Sequence, residues 1–105
     1  MDNIRHVPSL QGLQALVEVA DSGSFTQAAH TLYLTQSAVS RKIQQLETHY
    51  GTAMFVRTSR SLQLTAEGEQ VLASARHILE HLKALDDRIA PQKRPFRIRM
   101  HYLHE

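Results

Sequence analysis

Gln36, Ser40 and Arg41 lie in a stretch whose apolar positions, Val39, Ile43 and Leu46, recur every three or four residues. On a helix that spacing turns the apolar side chains inward and leaves Gln36, Ser37, Ser40, Arg41, Gln44 and Gln45 outward. An amide, a hydroxyl and a guanidinium on one wet face are the groups that hydrogen-bond base edges in a major groove, or phosphates. Lys42, one turn around from that face, is placed for a phosphate. Two helix starts add backbone donors: Ser24 and Thr35 are N-cap types, and the amides behind such a cap attract an anion. A second basic group follows in Arg57-Thr58-Ser59-Arg60-Ser61. There Arg60, at the tip of a flexible loop, is in reach of a narrow minor groove, whereas Arg57, inside a strand, suits an ion pair or a phosphate.

Other chemistries find little support. The chain of 105 residues has no Cys, which removes disulfide scaffolds, thiol catalysis and Cys-based zinc sites. Of its seven histidines, His77 and His81 stand four apart on one helix, yet no third ligand has sensible spacing. No metal and no cofactor are therefore expected. Neither a glycine-rich phosphate loop nor a nucleophile-base-acid set is visible, so an enzyme is not expected. The N-terminal MDNIRHVPSL lacks the apolar core of a signal peptide, and no run of eighteen apolar residues spans a membrane, so a cytoplasmic address is expected. The net charge of +2 is modest, but the charge is sorted. Between Gln36 and Thr65, Arg41, Lys42, Arg57 and Arg60 face Glu47 alone, while Ala66 to Ala90 is acid-rich.

The elements that position these residues can be read from periodicity. Leu10, Leu13, Leu16, Val17 and Ala20 mark a first helix, opened by Pro8-Ser9 and stopped by Gly23. Ser24 opens a second, with Gln27 completing a capping box, and Ala28, Ala29 and Leu32 forming its buried face. Tyr33-Leu34 is a short turn, Thr35 caps the third helix, and Gly51 ends it. The period then falls to two: Met54 and Val56, then Leu62 and Leu64, alternate with polar neighbours, which fits two strands around the basic loop. Thr65 caps a long final helix. Three short helices and a two-stranded ribbon describe a winged helix-turn-helix, a mainly α fold.

The long helix carries Val71, Ala75, Ile78, Leu82, Leu85 and Ile89 at alternating steps of four and three. That is a heptad seam, flanked by Leu72 and Leu79, and it predicts a homodimer interface. The alternative is that the stripe packs on its own domain. A domain plan follows: residues 1–65 as the winged helix-turn-helix, 66–90 as the linker helix, and 91–105 as a hinge and first strand of a truncated further domain. The alternation in Phe96-Arg97-Ile98-Arg99-Met100 is the basis for that strand.

Together these residues resemble a known family. Ser22-Gly23-Ser24-Phe25-Thr26-Gln27-Ala28-Ala29, Leu32, Thr35 through Ile43, Leu46-Glu47, Gly51, Phe55, Arg57, Leu64-Thr65 and Gly68, in that order, are similar to the N-terminal domain of LysR-type transcriptional regulators. The resemblance covers residues 9 to 90. It implies a sequence-specific DNA-binding domain that acts as a dimer on an interrupted palindrome, with a small-molecule effector bound by a C-terminal domain outside this chain. For the full-length protein a tetramer stays open. It also implies that Gln36, Ser40 and Arg41 enter the major groove and Arg60 the minor groove. Two positions depart from the usual pattern: Ser37 stands where many members carry Pro, and Tyr50 where an aliphatic residue is usual.

Two other functions compete. A winged helix used for protein contact predicts an apolar patch on the third helix, where the sequence instead places glutamines, serines and an arginine. An RNA-binding version lacks aromatic stacking residues on its basic face. Arg41 has its own competing use, an ion pair with Glu47 or Asp21.

Overall fold

A computed structural model describes residues 7–89. It contains α1 (Leu10–Ser22), α2 (Phe25–Leu32), α3 (Gln36–Tyr50), β1 (Phe55–Arg57), β2 (Leu62–Leu64) and α4 (Ala66–Ile89). The expected strand at 91–105 lies outside the described residues.

Each helix starts where a hydroxyl can replace a missing helical acceptor. Ser9 Oγ accepts from the Gly12 amide at 2.9 Å, Ser24 Oγ from Gln27 at 3.0 Å and Thr35 Oγ1 from Ala38 at 3.0 Å. The expected capping box is only half formed. The Ser24 amide donates to Ser22 Oγ at 3.3 Å, so a residue from the preceding helix takes the part assigned to the Gln27 side chain. Gly23 and Gly51 close α1 and α3 in the left-handed conformation. Tyr33 closes α2 in the same conformation, at φ 58°, although it carries a side chain.

The core gathers Leu13, Leu16 and Val19 of α1, Ala28 and Ala29 of α2, and Val39, Ile43 and Leu46 of α3 around Met54. The small alanines of α2 let α1 approach closely. The stripe expected on α1 is broader than its spacing implied: Leu10 is exposed, whereas Ala15 and Val19 are fully buried. The reason is position. α1 touches α2, α3 and α4, so it is covered on more than one side.

The two strands pair antiparallel, with Phe55 opposite Leu64 and Arg57 opposite Leu62. Cross-strand partners share a face, so Phe55, Arg57, Leu62 and Leu64 face the helices and Val56 faces solvent. The expected alternation from Met54 to Val56 is therefore off by one residue in β1. Met54 is buried before the strand begins, and the chain turns there rather than continuing the pleat.

Thr65 joins the ribbon to α4. Its amide donates to the Met54 carbonyl at 2.9 Å, its hydroxyl donates to the Ala53 carbonyl at 2.6 Å, and the same oxygen accepts from the Gly68 amide at 2.8 Å. Gly68 is required by this crossing, because a Cβ there would collide with the Met54 carbonyl. Further along, Ala75 is fully buried in the domain core and Val71 and Leu72 pack on it. Ile78, Leu82, Leu85 and Ile89 are exposed.

Candidate nucleic-acid interface

The first two turns of α3 present Gln36, Ser37 and Arg41 to solvent, with Ser40 half-buried beside them. They do not form one flat face. Gln36 borders a cleft of about 330 Å³ that it shares with Ser24, Thr26, Arg57, Thr58 and Arg60. Ser40 looks into a smaller hollow between α3 and the ribbon, next to Phe25, Phe55 and Arg57. Arg41 and Lys42 line the opposite flank of α3, in an open cleft of about 780 Å³ reaching Ser9 and His49. The ridge of α3 thus has the basic ribbon on one side and a basic cleft on the other.

Neither acid considered for Arg41 pairs with it. Asp21 is held by Arg76, and Glu47 accepts the Met54 amide through Oε2 at 2.9 Å. Among the described residues Arg41 makes no ion pair. Its charge faces solvent, where a phosphate or a base edge can meet it. Lys42 is half-buried and donates to Gln11 Oε1 at 2.9 Å, so α1 directs its ammonium.

The ribbon side is held by aromatic packing. The Phe25 and Phe55 rings meet edge to face at 6.0 Å. The Arg57 guanidinium sits 5.5 Å from the centre of the Phe25 ring, a cation–π contact that orients it toward the start of α2. Arg60 is at the tip, as expected, but the tip is not loose. Thr58 Oγ1 accepts from the amides of Arg60 at 3.3 Å and Ser61 at 2.9 Å, and the Thr58 amide donates to the Ser61 carbonyl at 2.8 Å.

Two residues of this surface were not visible in the sequence. Thr26 Oγ1 donates to Gln36 Oε1 at 3.2 Å, and Gln11 holds Lys42. Both contacts join different helices, so no local spacing reports them. Thr35 and Ser37 hydroxyls lie 3.4 Å apart, which ties Ser37 to the cap of its own helix. Among the described residues, no group of three or more His, Asp or Glu gathers to hold a metal, and no helix is long and apolar enough to cross a membrane.

Two helices in a tight pair, a third packed across them, and a basic two-stranded ribbon define a winged helix-turn-helix domain. Residues 10–69 match the family described as bacterial regulatory helix-turn-helix protein, lysR family, and the chain belongs to that family. It is similar to the HTH-type transcriptional activator AllS of Klebsiella pneumoniae, with 46% identity over 67 residues, 64% of this chain and 25% of that protein. Among solved structures it is similar to that of a CbnR_DBD–DNA complex, with a TM-score of 0.70 and 32% identity, over 82% of this chain and 99% of that one. A BenM_DBD/catB site 1 DNA complex gives a TM-score of 0.70 and 34% identity, over 78% of this chain and 94% of that one. The chain spans about a quarter of the length of the curated relatives it matches.

Proposed function

We propose that this chain is the part of a transcriptional regulator that binds double-stranded DNA in a sequence-specific manner, as a homodimer on an interrupted palindrome. The observation that carries the reading is Arg41, without an ion-pair partner among the described residues, on a polar α3 ridge flanked by two basic clefts. The likeness to two domains solved with DNA supports it. In this reading Gln36, Ser40 and Arg41 meet base edges, Ser37 and Thr35 border them, and Ser24, Lys42 and Arg57 meet phosphates. Arg60 enters the flanking minor groove. Residues 1–65 bind, 66–90 join two copies, and 91–105 lead into a further domain that takes a small-molecule effector.

The competing use as a protein-contact module needs an apolar patch on α3. The exposed positions there are Gln36, Ser37, Arg41, Gln44, Gln45, Thr48, His49 and, at the C-terminal end, Tyr50, a surface that is polar apart from that single tyrosine. The experiment is fluorescence anisotropy at fixed salt on a duplex selected from a random pool. Arg41→Ala costs about 1–3 kcal/mol on the selected site and relaxes base preference, whereas Lys42→Ala weakens all duplexes about equally. Specific affinity unchanged by Arg41→Ala sinks the assignment.

A further inference from the structure

We infer that Thr26 sets which bases Gln36 accepts, by turning its side-chain amide so that the NH2 group faces outward. The inference rests on the DNA-binding reading above. Thr26 is in the first turn of α2 and Gln36 opens α3, ten residues later. Both are exposed at the mouth of the same cleft, and the Thr26 hydroxyl donates to Gln36 Oε1 at 3.2 Å. That bond fixes an amide that would otherwise turn freely about its last torsion.

The chemistry of the two orientations differs. An unrestrained glutamine reads adenine with both ends of its amide: Oε1 accepts from N6 and Nε2 donates to N7. Here Oε1 is drawn toward α2 and one of its lone pairs is taken. Nε2 lies on the other side of the amide carbon and points away from α2, carrying two N–H donors and no acceptor. Guanine, with N7 and O6, answers the two donors with two acceptors, whereas thymine offers O4 alone. Cytosine offers an N4 donor and is refused; adenine keeps only N7 and loses its second bond. Gln36 held this way selects guanine over adenine.

Thr26 suits this role because it is structurally dispensable. It is exposed, its hydroxyl bond spans two solvent-facing side chains, and it belongs to neither the core nor the α2 cap.

The test is selection of binding sites from a random duplex pool by the 105-residue chain and its variants. Gln36→Ala identifies the contacted base pair as the position whose preference collapses. At that position the unaltered chain favours guanine over adenine by about fivefold or more, the scale of one good base contact. Thr26→Val removes the hydroxyl at nearly constant shape and brings adenine to parity or above. Thr26→Ala gives the same change, and Thr26→Ser, which keeps the hydroxyl, restores the original preference. Thermal melting by circular dichroism confirms that all three remain folded. An unchanged base preference in both hydroxyl-free variants overturns the inference, as does adenine already preferred by the unaltered chain. If the unaltered chain selects no sequence at all, the DNA-binding reading itself fails, an outcome distinct from either of these.

Discussion

Arg76 and Asp21 form a two-pronged ion pair, with Nη2 2.6 Å from Oδ1 and Nη1 3.3 Å from Oδ2. It links the middle of α4 to the end of α1, 55 residues away in sequence. The hydrogen bond from Arg76 holds the Asp21 carboxyl below its ordinary value of 3.8; burial opposes it, and the Arg76 charge adds a lesser lowering.

The folded chain thus releases the Asp21 proton more readily than the unfolded one. Its contribution to stability is complete above about pH 4 and is lost as pH falls through the lowered value. Both partners are about half exposed, so the pair contributes no more than about 1 kcal/mol. Urea unfolding of Asp21→Asn at pH 7 shows that deficit, and the gap to the unaltered chain closes as the pH is taken below the ordinary carboxylate value and through the lowered one. Arg76→Ala with Asp21→Asn is then little worse than either alone.

Tyr33 is strained for no packing return. It holds a left-handed conformation at φ 58° with its side chain 94% exposed. That conformation costs a non-glycine residue about 1–2 kcal/mol, partly offset because glycine is freer in the unfolded chain. Tyr33→Gly raises stability by about 1 kcal/mol, seen as a melting temperature higher by about 4–8 °C.

Arg60 stands on a tied turn rather than a loose one, so its reach is directed. On duplexes whose flanks are A·T-rich, where the minor groove is narrow and most negative, Arg60→Ala loses most affinity; on G·C-rich flanks it loses little. Titration of both duplexes at one salt concentration decides it. Equal losses reduce Arg60 to a generic phosphate contact.

The exposed Ile78, Leu82, Leu85 and Ile89 are the free part of the seam proposed for dimerisation. Ile78→Asp with Leu82→Asp gives a monomer that keeps the helical content of the winged domain and binds an inverted repeat no better than a half-site. Sedimentation equilibrium reads the outcome. A double variant that still dimerises moves the interface elsewhere.

The helices were legible because their punctuation is local. Ser9, Ser24, Thr35, Gly23 and Gly51 each act within four residues of their own position. The ribbon was half legible: the second strand, Leu62 to Leu64, was read correctly, but the first begins at Phe55 rather than Met54 and Val56 faces outward, because the turn at Met54 resets the pleat. Ala75 shows the same limit on α4. Its place in the seven-residue pattern suits a partner helix, yet the domain's own core fills that side. Within the site, the exposed polar identity of Gln36, Ser37 and Arg41 was plain from spacing. The tethers from Thr26 and Gln11 were not, since they depend on how helices cross.

The root of α4 is immobile in a way its tip is not. Gly68 lies against the Met54 carbonyl, Ala75 has no room, and Arg76 is clamped to Asp21; beyond them the helix leaves the body of the domain. From Arg76 to Ile89 it runs about 20 Å at 1.5 Å per residue. A tilt of about 5° at the root therefore displaces the tip by about 1.7 Å. In an assembly joined along that outer half, the distance between two α3 ridges would be tuned from the residues under Ala75 and Gly68, far from both the joint and the surface it serves.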